Sequence, residues 1–310
     1  MPGAGGRTPR VLITGASSGI GASRELVSRG WTVFGGVRRE TDARRLRAEL
    51  GESFQPLMLD VTDSAAVREA AGVVEEELAG ANLDALINNA GTTCLGPLAC
   101  LSTEALRGQF EVNLFGLFEV TRRFLPLLGA ARGGAQPASC GSQPASCGSQ
   151  PASCGSPGRI VNLSSASGRL AFPFFGFYAA SKHALEGLSD ALRRELQLYG
   201  IHVILIEPSI VRTPLVEKSV AQAQAFRDTA YWPAIQSALK ATGLDRPDGV
   251  LPVQRVVRVL LRALTSPRPR ARYAIPRNRL LGWWLPLALP ARVLDRFVGR
   301  SLGLLPGKGA

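Results

Sequence analysis

The sequence predicts an α/β protein built on one doubly wound parallel sheet. Short, nearly continuous apolar runs recur along the chain, and stretches of helical periodicity separate them, as at Leu185, Leu188 and Leu192. Strands covered by helices on both faces show such continuous runs, and right-handed connections between them produce a doubly wound sheet. The predicted strands are residues 11–14, 31–37, 56–59, 83–88, 159–163, 202–206 and 272–275.

Length and composition exclude several classes of protein. The chain has 310 residues, and its 45% hydrophobic content suffices for one large core and argues against disorder. No stretch approaches the roughly 20 unbroken apolar residues of a membrane-spanning helix. Residues 1–10 lack the apolar core of a secretory signal, and the five cysteines do not resemble a disulfide framework. We therefore expect a cytoplasmic protein in a reducing compartment.

The positive charge of the chain is confined to its C-terminal part. The net charge is +12, but residues 1–254 hold 24 basic and 23 acidic groups, whereas residues 255–310 hold 12 basic groups and only Asp295 as an acid. A basic tail can meet the phosphates of nucleic acid or of lipid, or keep a protein soluble. Because the body is nearly neutral and contains no nucleic-acid-binding motif, we expect no nucleic-acid partner.

We expect the chain to divide into a flexible N-terminus (1–9), one α/β domain (10–276) and a basic, apolar extension (277–310). Residues 129–157 form a low-complexity insertion that holds three copies of Gln-Pro-Ala-Ser-Cys-Gly-Ser. Such a segment cannot bury a core, so we expect a mobile surface loop before strand five, away from the cleft. Its cysteines (Cys140, Cys147 and Cys154) are seven residues apart, unlike the paired ligands of zinc sites, so we predict no metal.

A glycine-rich turn follows the first predicted strand and opens a helix. Gly15, Gly19 and Gly21 allow a tight turn whose backbone amides approach a pyrophosphate at the helix N-terminus. A plain strand-to-helix turn is the alternative. The position of the turn, directly after the first strand of a βαβ pattern, favours dinucleotide binding.

Tyr178 and Lys182 lie four residues apart, on one helix face. A free tyrosine has a pKa near 10, and a fixed cation beside it favours the phenolate and lowers that pKa. Ser165 lies at the end of strand five, at the sheet edge where ligands bind. The alternatives are a solvated helix pair and a serine that caps a turn.

In chain order, the conspicuous motifs are the Gly15/Gly19/Gly21 turn, Asp60-Val61, Asn88-Asn89-Ala90-Gly91, Asn113, Ser165, Tyr178-x-x-x-Lys182, and Pro208 with Thr213. Together they resemble the short-chain dehydrogenase/reductase family from about residue 9 to residue 275. The long segment 216–251 and the C-terminal part resemble its retinoid- and steroid-type branch. The family resemblance implies a Rossmann-type fold and an oxidoreductase in which Tyr178 is the general acid/base. Lys182 would lower the pKa of Tyr178 and hold the ribose, and Ser165 would polarise the substrate oxygen. Asn113 would hold a water that links Lys182 to solvent.

The same resemblance implies a set of cofactor contacts. Asp60 would face the adenine, Asn89 to Gly91 would line the cofactor site, and Pro208 to Thr213 would cover the nicotinamide. Ser209 departs from the glycine found in many members, with a small expected effect. The cofactor-binding residues expected on this basis are Gly15, Ser17, Ser18, Gly19, Ile20, Gly21, Arg38, Asp60, Val61, Asn89, Ala90, Gly91, Tyr178, Lys182, Pro208, Ser209 and Thr213.

The end of strand two predicts NADP rather than NAD. Val37 stands where an NAD-selective member has an acid for the ribose 2′-hydroxyl, and Arg38 can pair with a 2′-phosphate. An exposed loop arginine is the alternative. Ser18 is not basic, so the expected preference is modest.

Aromatic residues predict a bulky, hydrophobic substrate such as a retinoid, steroid or lipid alcohol or ketone. Phe172, Phe174, Phe175 and Phe177 precede Tyr178, and residues 216–251, the lid in this family, include Phe226, Tyr231 and Trp232. Ordinary core packing is the alternative for these rings. His183 and His202 are interpreted as structural. A non-catalytic NADP(H)-binding redox sensor is the rival function, and the complete Ser165, Tyr178 and Lys182 set argues against it.

The extension predicts peripheral membrane contact through residues 277–305. Trp283, Trp284 and several leucines are flanked by arginines, and apolar residues continue to Leu305 at roughly helical spacing. This composition suits a segment that lies in the bilayer interface. The alternatives are packing on the domain's own surface and a dimer contact. The resemblance also implies a homo-oligomer.

Overall fold

One parallel sheet of seven strands organises the molecule. The computed structural model describes residues 7–17, 21–130, 157–243 and 249–305. The strands are β1 (Arg10–Ile13), β2 (Thr32–Val37), β3 (Phe54–Met58), β4 (Ala85–Asn88), β5 (Arg159–Leu163), β6 (His202–Pro208) and β7 (Arg272–Ile275). Their order in the sheet is β3-β2-β1-β4-β5-β6-β7, and every neighbouring pair is parallel. The predicted doubly wound α/β fold is confirmed.

All seven predicted strands are present, and their ends differ from the prediction by at most two residues. β3 begins at Phe54, before Pro56, because a proline without an N–H group is tolerated on an edge strand. β6 continues through Pro208, which pairs with Ile275 of β7. Strand interiors were therefore easier to predict than strand ends.

Helices connect the strands and cover both faces of the sheet. They are α1 (Ala22–Ser28), α2 (Glu40–Leu50), α3 (Ser64–Leu78), α4 (Thr103–Phe110), α5 (Leu117–Phe124), α6 (Gly176–Glu195), α7 (Pro214–Ala223), α8 (Trp232–Thr242), α9 (Val253–Thr265), α10 (Leu285–Ala288) and α11 (Ala291–Leu302). A π-helical turn, Glu111–Gly116, joins α4 to α5, and another, Leu280–Trp284, precedes α10.

Two apolar cores lie on opposite faces of the sheet. Residues of α1, α2 and α9, such as Leu26 and Leu260, fill the first core, and residues of α3 and α5, such as Val74 and Phe124, fill the second. All four of these side chains are fully buried. Burial of this kind is the main favourable contribution to the free energy of folding, and it holds the sheet edge in place.

The repeat insertion is attached at the edge of the sheet opposite the carboxyl ends of the strands. The repeats and their three cysteines lie outside the described residues, but both flanks are described. The amide of Leu83 donates to the carbonyl of Leu127 at 2.7 Å, and the amide of Gly158 donates to the carbonyl of Leu128 at 2.8 Å. The flanks therefore meet beside the start of β5, far along the strand from Ser165.

The C-terminal extension contributes to a third apolar core, here called the lid cluster. Its buried members are Leu95, Phe174, Ala223, Ala234, Ile235, Ala238 and Leu302, with Phe175, Phe226, Trp232, Leu239 and Val298 packed against them. Val298 and Leu302 come from α11, and most of the others come from the segment expected to form the lid. One side of α11 thus packs on the domain's own surface, which was the alternative to membrane contact.

Leu302→Ala is expected to destabilise the lid cluster. Leu302 is only 7% exposed, and removal of a buried leucine side chain leaves a cavity, which lowers the free energy of unfolding by about 2–3 kcal/mol. Urea unfolding of the full chain measures this change. Leu304→Ala, at a residue 38% exposed just after the same helix, is the matched control. Equal destabilisation by the two variants would contradict the packing role of α11.

Within the described parts of the chain, none of the helices is both long and apolar enough to cross a bilayer.

Candidate active site

The glycine-rich turn lies where the strand order reverses, between β1 and β4. Gly15 has φ +66°, and a Cβ there would lie 3.0 Å from the Cα of Ala90. Gly21 has φ +70° and caps the N-terminus of α1. Both positions require glycine, because side-chain-bearing residues avoid this conformation. The main-chain oxygen of Ser17 accepts a hydrogen bond from Arg45 at 3.4 Å. Ser18, Gly19 and Ile20 lie outside the described residues.

Thr14 joins this turn to the segment after β4. Its hydroxyl accepts from the amides of Asn89 at 3.0 Å and Ala90 at 2.9 Å. The side-chain amide of Asn89 donates in return to the carbonyls of Thr14 at 2.9 Å and Gly15 at 3.1 Å. Thr14 was not among the predicted site residues, although a polar residue at the end of a buried apolar strand is a usable signal.

A buried amide network holds β4 and β5 beside the site. Asn88 donates through Nδ2 to Thr121 and to Asn162, each at 2.9 Å, and Asn162 donates to Ser189 of α6 at 2.8 Å. Each of these side chains is almost fully buried. Such bonds satisfy polar groups that would otherwise destabilise the core. Their partners are distant in sequence, so no local pattern indicated them.

Asp60 and Arg38 lie close together at the ends of β3 and β2. Burial acts to raise the pKa of Asp60, but hydrogen bonds from the Thr62 amide (2.9 Å) and hydroxyl (2.7 Å), together with the charge of Arg38, outweigh burial and lower that pKa. Arg38 is exposed, whereas Arg39 is held by Asp42 at 2.8 Å. Arg38 is therefore the arginine available to a ligand beside Asp60.

Val61 packs into the core, so a contact with a cofactor would use its main chain. A Cβ on Gly116 would lie 2.6 Å from the Val61 carbonyl oxygen, so the π-helical turn can approach this loop only with glycine there.

Asn113 is fully buried in that π-helical turn. Its Oδ1 accepts from the Thr92 amide at 2.8 Å, and its Nδ2 donates to the Thr92 carbonyl and to Ser181 of α6, each at 3.0 Å. Thr92 directly follows Gly91, so Asn113 braces the segment after β4 against α6. Its side chain is fully engaged by these bonds, and the expected role in holding a water remains a prediction.

Ser165 and Tyr178 meet at the carboxyl edge of the sheet. Tyr178 is half-buried in the first turns of α6. Burial raises the pKa of its phenol, and a hydrogen bond with the Ser165 side chain acts in the opposite direction. The Ser165 oxygen also accepts from the amide of Ser167 at 3.1 Å, which fixes its position. These two predicted site residues, thirteen positions apart, are brought together.

Lys182 lies one helical turn after Tyr178, with its Nζ 5.8 Å from the centre of the phenol ring. The ammonium donates to the Leu163 carbonyl at 2.7 Å. Burial lowers the pKa of Lys182 to about 8, against the opposing charge of Glu186. Burial raises the pKa of Tyr178, and the expectation that Lys182 lowers it stays a prediction.

The segment after β6 borders the same edge. The Ser209 amide donates to the Ile275 carbonyl at 3.0 Å, which keeps Pro208 and Ser209 in line with the sheet. Thr213 is the N-cap of α7, where the lid begins.

Aromatic residues of the lid pack against the segment before Tyr178. Phe174 has φ +70°, which is unusual for a residue with a large side chain. Its ring is edge-on to that of Tyr231, with 6.4 Å between centroids. Phe226 and Trp232 join the lid cluster, whereas Phe172 is 44% exposed. Several of the predicted wall residues are therefore core residues of the lid itself.

The histidines lie apart from this chemistry. Nδ1 of His183 lies 2.8 Å from the Ala179 carbonyl oxygen, and His202 begins β6 at the opposite edge of the sheet. Across the described ranges, no group of three or more His, Cys, Asp or Glu side chains is arranged to hold a metal ion.

Comparison with known families identifies this arrangement. Residues 9–135 and 151–224 match the family model described as short chain dehydrogenase. The chain belongs to the short-chain dehydrogenase family. Its members are NAD(P)-dependent oxidoreductases that act on alcohol and ketone groups, and the chain is an enzyme of this class.

Relatives extend over nearly the whole chain. An NADPH-dependent 3-dehydrocapnine reductase of Ornithobacterium rhinotracheale is 32% identical, covering 94% of this chain and 96% of the relative. Human 17-beta-hydroxysteroid dehydrogenase type 6 is 31% identical, covering 94% and 88%. A structure of actinorhodin polyketide ketoreductase with NADPH superimposes with a TM-score of 0.67 at 26% identity, covering 89% and 98%.

The described residues fit a nicotinamide dinucleotide. The close approach at Gly15 leaves the turn free of side chains where a pyrophosphate would lie, and Asp60 with Arg38 offers polar groups to an adenosine end.

Proposed function

We propose that the chain is an NADP(H)-dependent oxidoreductase that interconverts a hydrophobic alcohol and its ketone or aldehyde, of retinoid-, steroid- or lipid-like type. Tyr178 serves as the general acid/base. The observation that carries this proposal is the close approach of the Ser165 and Tyr178 side chains, with the buried Lys182 one helical turn further along. The proposed catalytic domain is residues 10–276, and residues 277–310 form its extension.

The chain's own residues supply the proton transfer. In reduction, Tyr178 donates its proton to the substrate oxygen, and the raised pKa of the phenol keeps that proton in place at neutral pH. Ser165 donates a hydrogen bond to the same oxygen as negative charge develops on it. Lys182 provides a fixed positive charge near the ring. The bound nicotinamide supplies or accepts the hydride.

The NADP preference is supported by Arg38, which is exposed beside Asp60 at the end of β2. Val37, where an NAD-selective member has an acid, is buried. The name of the 3-dehydrocapnine reductase also specifies NADPH.

A hydrophobic substrate is supported by the apolar lid cluster and by relatives named for steroid substrates. NADPH oxidation by the full chain, measured with a panel of hydrophobic ketones and aldehydes, tests the function. We expect turnover that increases with the apolar surface of the substrate. Tight NADPH binding without turnover of any compound would favour the redox-sensor alternative.

The extension also supports peripheral membrane contact. At 100° per residue, Val293, Arg296, Phe297 and Arg300 lie on one side of α11, opposite the side that packs on the lid cluster. Phe297 is 69% exposed and Val293 48%. We call this side, together with exposed Leu280, Trp284, Leu285, Arg277, Arg279 and Arg292, the basic apolar face.

The charge of this face favours an anionic lipid surface. Residues 277–305 contain five arginines and a single acid, Asp295. Basic side chains attract anionic headgroups, and an exposed tryptophan suits the bilayer interface. Binding there would place the lid next to a pool of hydrophobic substrate, so we propose peripheral attachment to a membrane rather than a wholly free protein.

Phe297→Glu is expected to weaken co-sedimentation of the full chain with anionic phosphatidylserine vesicles by about tenfold or more, because it removes apolar area and adds a repelled charge. Leu198→Glu, at a leucine 78% exposed elsewhere on the surface, is the matched control and should bind like the wild type. Added salt should weaken wild-type binding. If the full chain ignores these vesicles at low salt, the membrane proposal is wrong.

We also propose a homo-oligomer. Phe115 and Phe118, in and after the π-helical turn, are 54% and 40% exposed, and large exposed aromatic side chains are common in subunit contacts.

A further inference from the structure

A group of three carboxylates, two of them buried, lies near Lys182, and the proposed proton transfer does not use it. Glu186 and Asp190 of α6 and Glu207 of β6 surround the guanidinium of Arg272 on β7. Nη1 of Arg272 lies 2.8 Å from Glu186 and 3.7 Å from Glu207, and Nη2 lies 2.9 Å from Asp190. Glu186 and Glu207 are 5% and 1% exposed. We call these four residues the carboxylate cluster.

Among the described residues, Arg272 is the cation that contacts both buried glutamates directly. Arg193 pairs with Asp190 at 3.0 Å, at the end of the cluster away from Lys182. Arg169, from the loop after β5, acts on Glu207 only through its charge. Two buried carboxylates close to one guanidinium are therefore left facing each other, and repulsion in a buried site favours a proton on one of them.

Two buried oxygens without hydrogen-bond partners support a shared proton. Oε1 of Glu186 and Oε1 of Glu207 are both buried without a hydrogen-bond partner. A protonated carboxyl becomes a donor, so one proton lets Glu207 donate to Glu186 and removes this deficit. Burial and the neighbouring Glu186 raise the pKa of Glu207 to about 8, so the proton is present at neutral pH.

Glu186 also touches the loop that carries Ser165. A Cβ on Gly168 would lie 2.7 Å from Oγ of Ser164 and 3.1 Å from Oε1 of Glu186, so only glycine allows this loop to close over the carboxylate. Oγ of Ser164 is itself buried without a partner. Glu186 therefore lies between the loop of Ser165 and the helical turn of Lys182.

We propose that Glu186 is a positioning residue: it shares one proton with Glu207, keeps the negative charge on its own carboxylate, and thereby holds Lys182 as an ammonium ion beside Tyr178. This inference rests on the proposed function of Tyr178 and Lys182.

The carboxylate of Glu186 acts through the protonation state of Lys182. Burial favours the neutral amine, and the charge of Glu186 opposes that effect. Glu186 lies four residues after Lys182, one turn along the same helix. Without the negative charge of Glu186, the Lys182 ammonium would lose its proton at a lower pH. The alkaline decline in ketone reduction would then begin at a lower pH as well.

The pH profile of kcat/KM for ketone reduction by the full chain, from about pH 6 to about pH 10, tests this role. In Glu186→Gln, we expect the alkaline decline to move about one pH unit lower, since a nearby opposite charge shifts a pKa by about that amount or more. At a pH above the alkaline declines of both the wild type and the variant, this shift corresponds to about a tenfold lower kcat/KM in the variant. Glu186→Asp, which keeps the charge, should restore most of the wild-type profile.

Asp190→Asn is the matched control. It removes a carboxylate that pairs with the same guanidinium, that of Arg272, but lies two helical turns from Lys182. It should therefore leave the pH profile unshifted. An unshifted profile in Glu186→Gln, or an equal shift in Asp190→Asn, would overturn the proposal, because the effect would then not act through Lys182.

A readout without turnover separates this inference from the proposed function. Infrared difference spectra of the wild-type chain should show a protonated carboxyl band at neutral pH that disappears near pH 8. The band should be missing in Glu207→Gln. Its absence from the wild type at pH 7 would overturn the shared proton, whatever the enzyme's activity. This measurement still decides the question if Glu186→Gln fails to fold.

Discussion

Tyr178→Phe is expected to reduce turnover by about 10²–10⁴-fold while leaving NADPH binding almost unchanged. The substitution keeps the ring in its place at the start of α6 and removes only the hydroxyl that bonds to Ser165. General acid/base catalysis by a positioned side chain contributes an effect of this size. Steady-state reduction of a hydrophobic ketone gives the rate, and fluorescence titration with NADPH gives the binding constant.

Tyr199→Phe is the matched control for this prediction. Tyr199 packs at the edge of the second core, near the end of α6 and far from Ser165, and its variant should retain wild-type turnover. A Tyr178→Phe enzyme that keeps more than a few per cent of the wild-type rate would show that Tyr178 is not the acid/base.

Arg38→Ala is expected to weaken NADPH binding by about 10- to 100-fold and to leave NADH binding nearly unchanged. A hydrogen bond to a charged group contributes about 1.5–3 kcal/mol, and each 1.4 kcal/mol is about tenfold in affinity. Only NADPH carries the 2′-phosphate that this guanidinium would meet. Parallel titrations of wild type and variant with both cofactors measure the difference.

Arg39→Ala is the appropriate comparison, because Arg39 adjoins Arg38 but is already paired with Asp42 at 2.8 Å. It should change NADPH binding far less than Arg38→Ala. Wild-type protein that binds NADH as tightly as NADPH would refute the predicted preference.

The C-terminal extension shows where sequence patterns stop being informative. Its arginines, tryptophans and helical spacing fit both a membrane surface and packing on the domain. The structure places Val298 and Leu302 in the lid cluster and leaves Phe297 and Trp284 exposed, so α11 has one packed side and one free side. A composition cannot distinguish these sides, because burial depends on the neighbours that a helix meets in the folded chain.

The electrostatics of the site show the same limit. The spacing of Tyr178 and Lys182 correctly placed them on one face of α6, but it did not indicate that burial raises the pKa of Tyr178. Desolvation depends on all the surrounding elements, and the Lys182 ammonium is bound to the Leu163 carbonyl of β5, a contact between segments that no spacing along α6 shows.

The sequence by itself determined the parallel sheet, its seven strands to within two residues, and the motifs of the short-chain dehydrogenase family. These follow from local apolar periodicity and from residues at short, fixed spacings. Only the tertiary structure decided that Thr14 joins the turn to Asn89, that Asn113 braces Thr92 against α6, and that Glu186 faces Glu207. Each of these contacts joins different segments, and such contacts depend on how strands and helices pack, which no local pattern records.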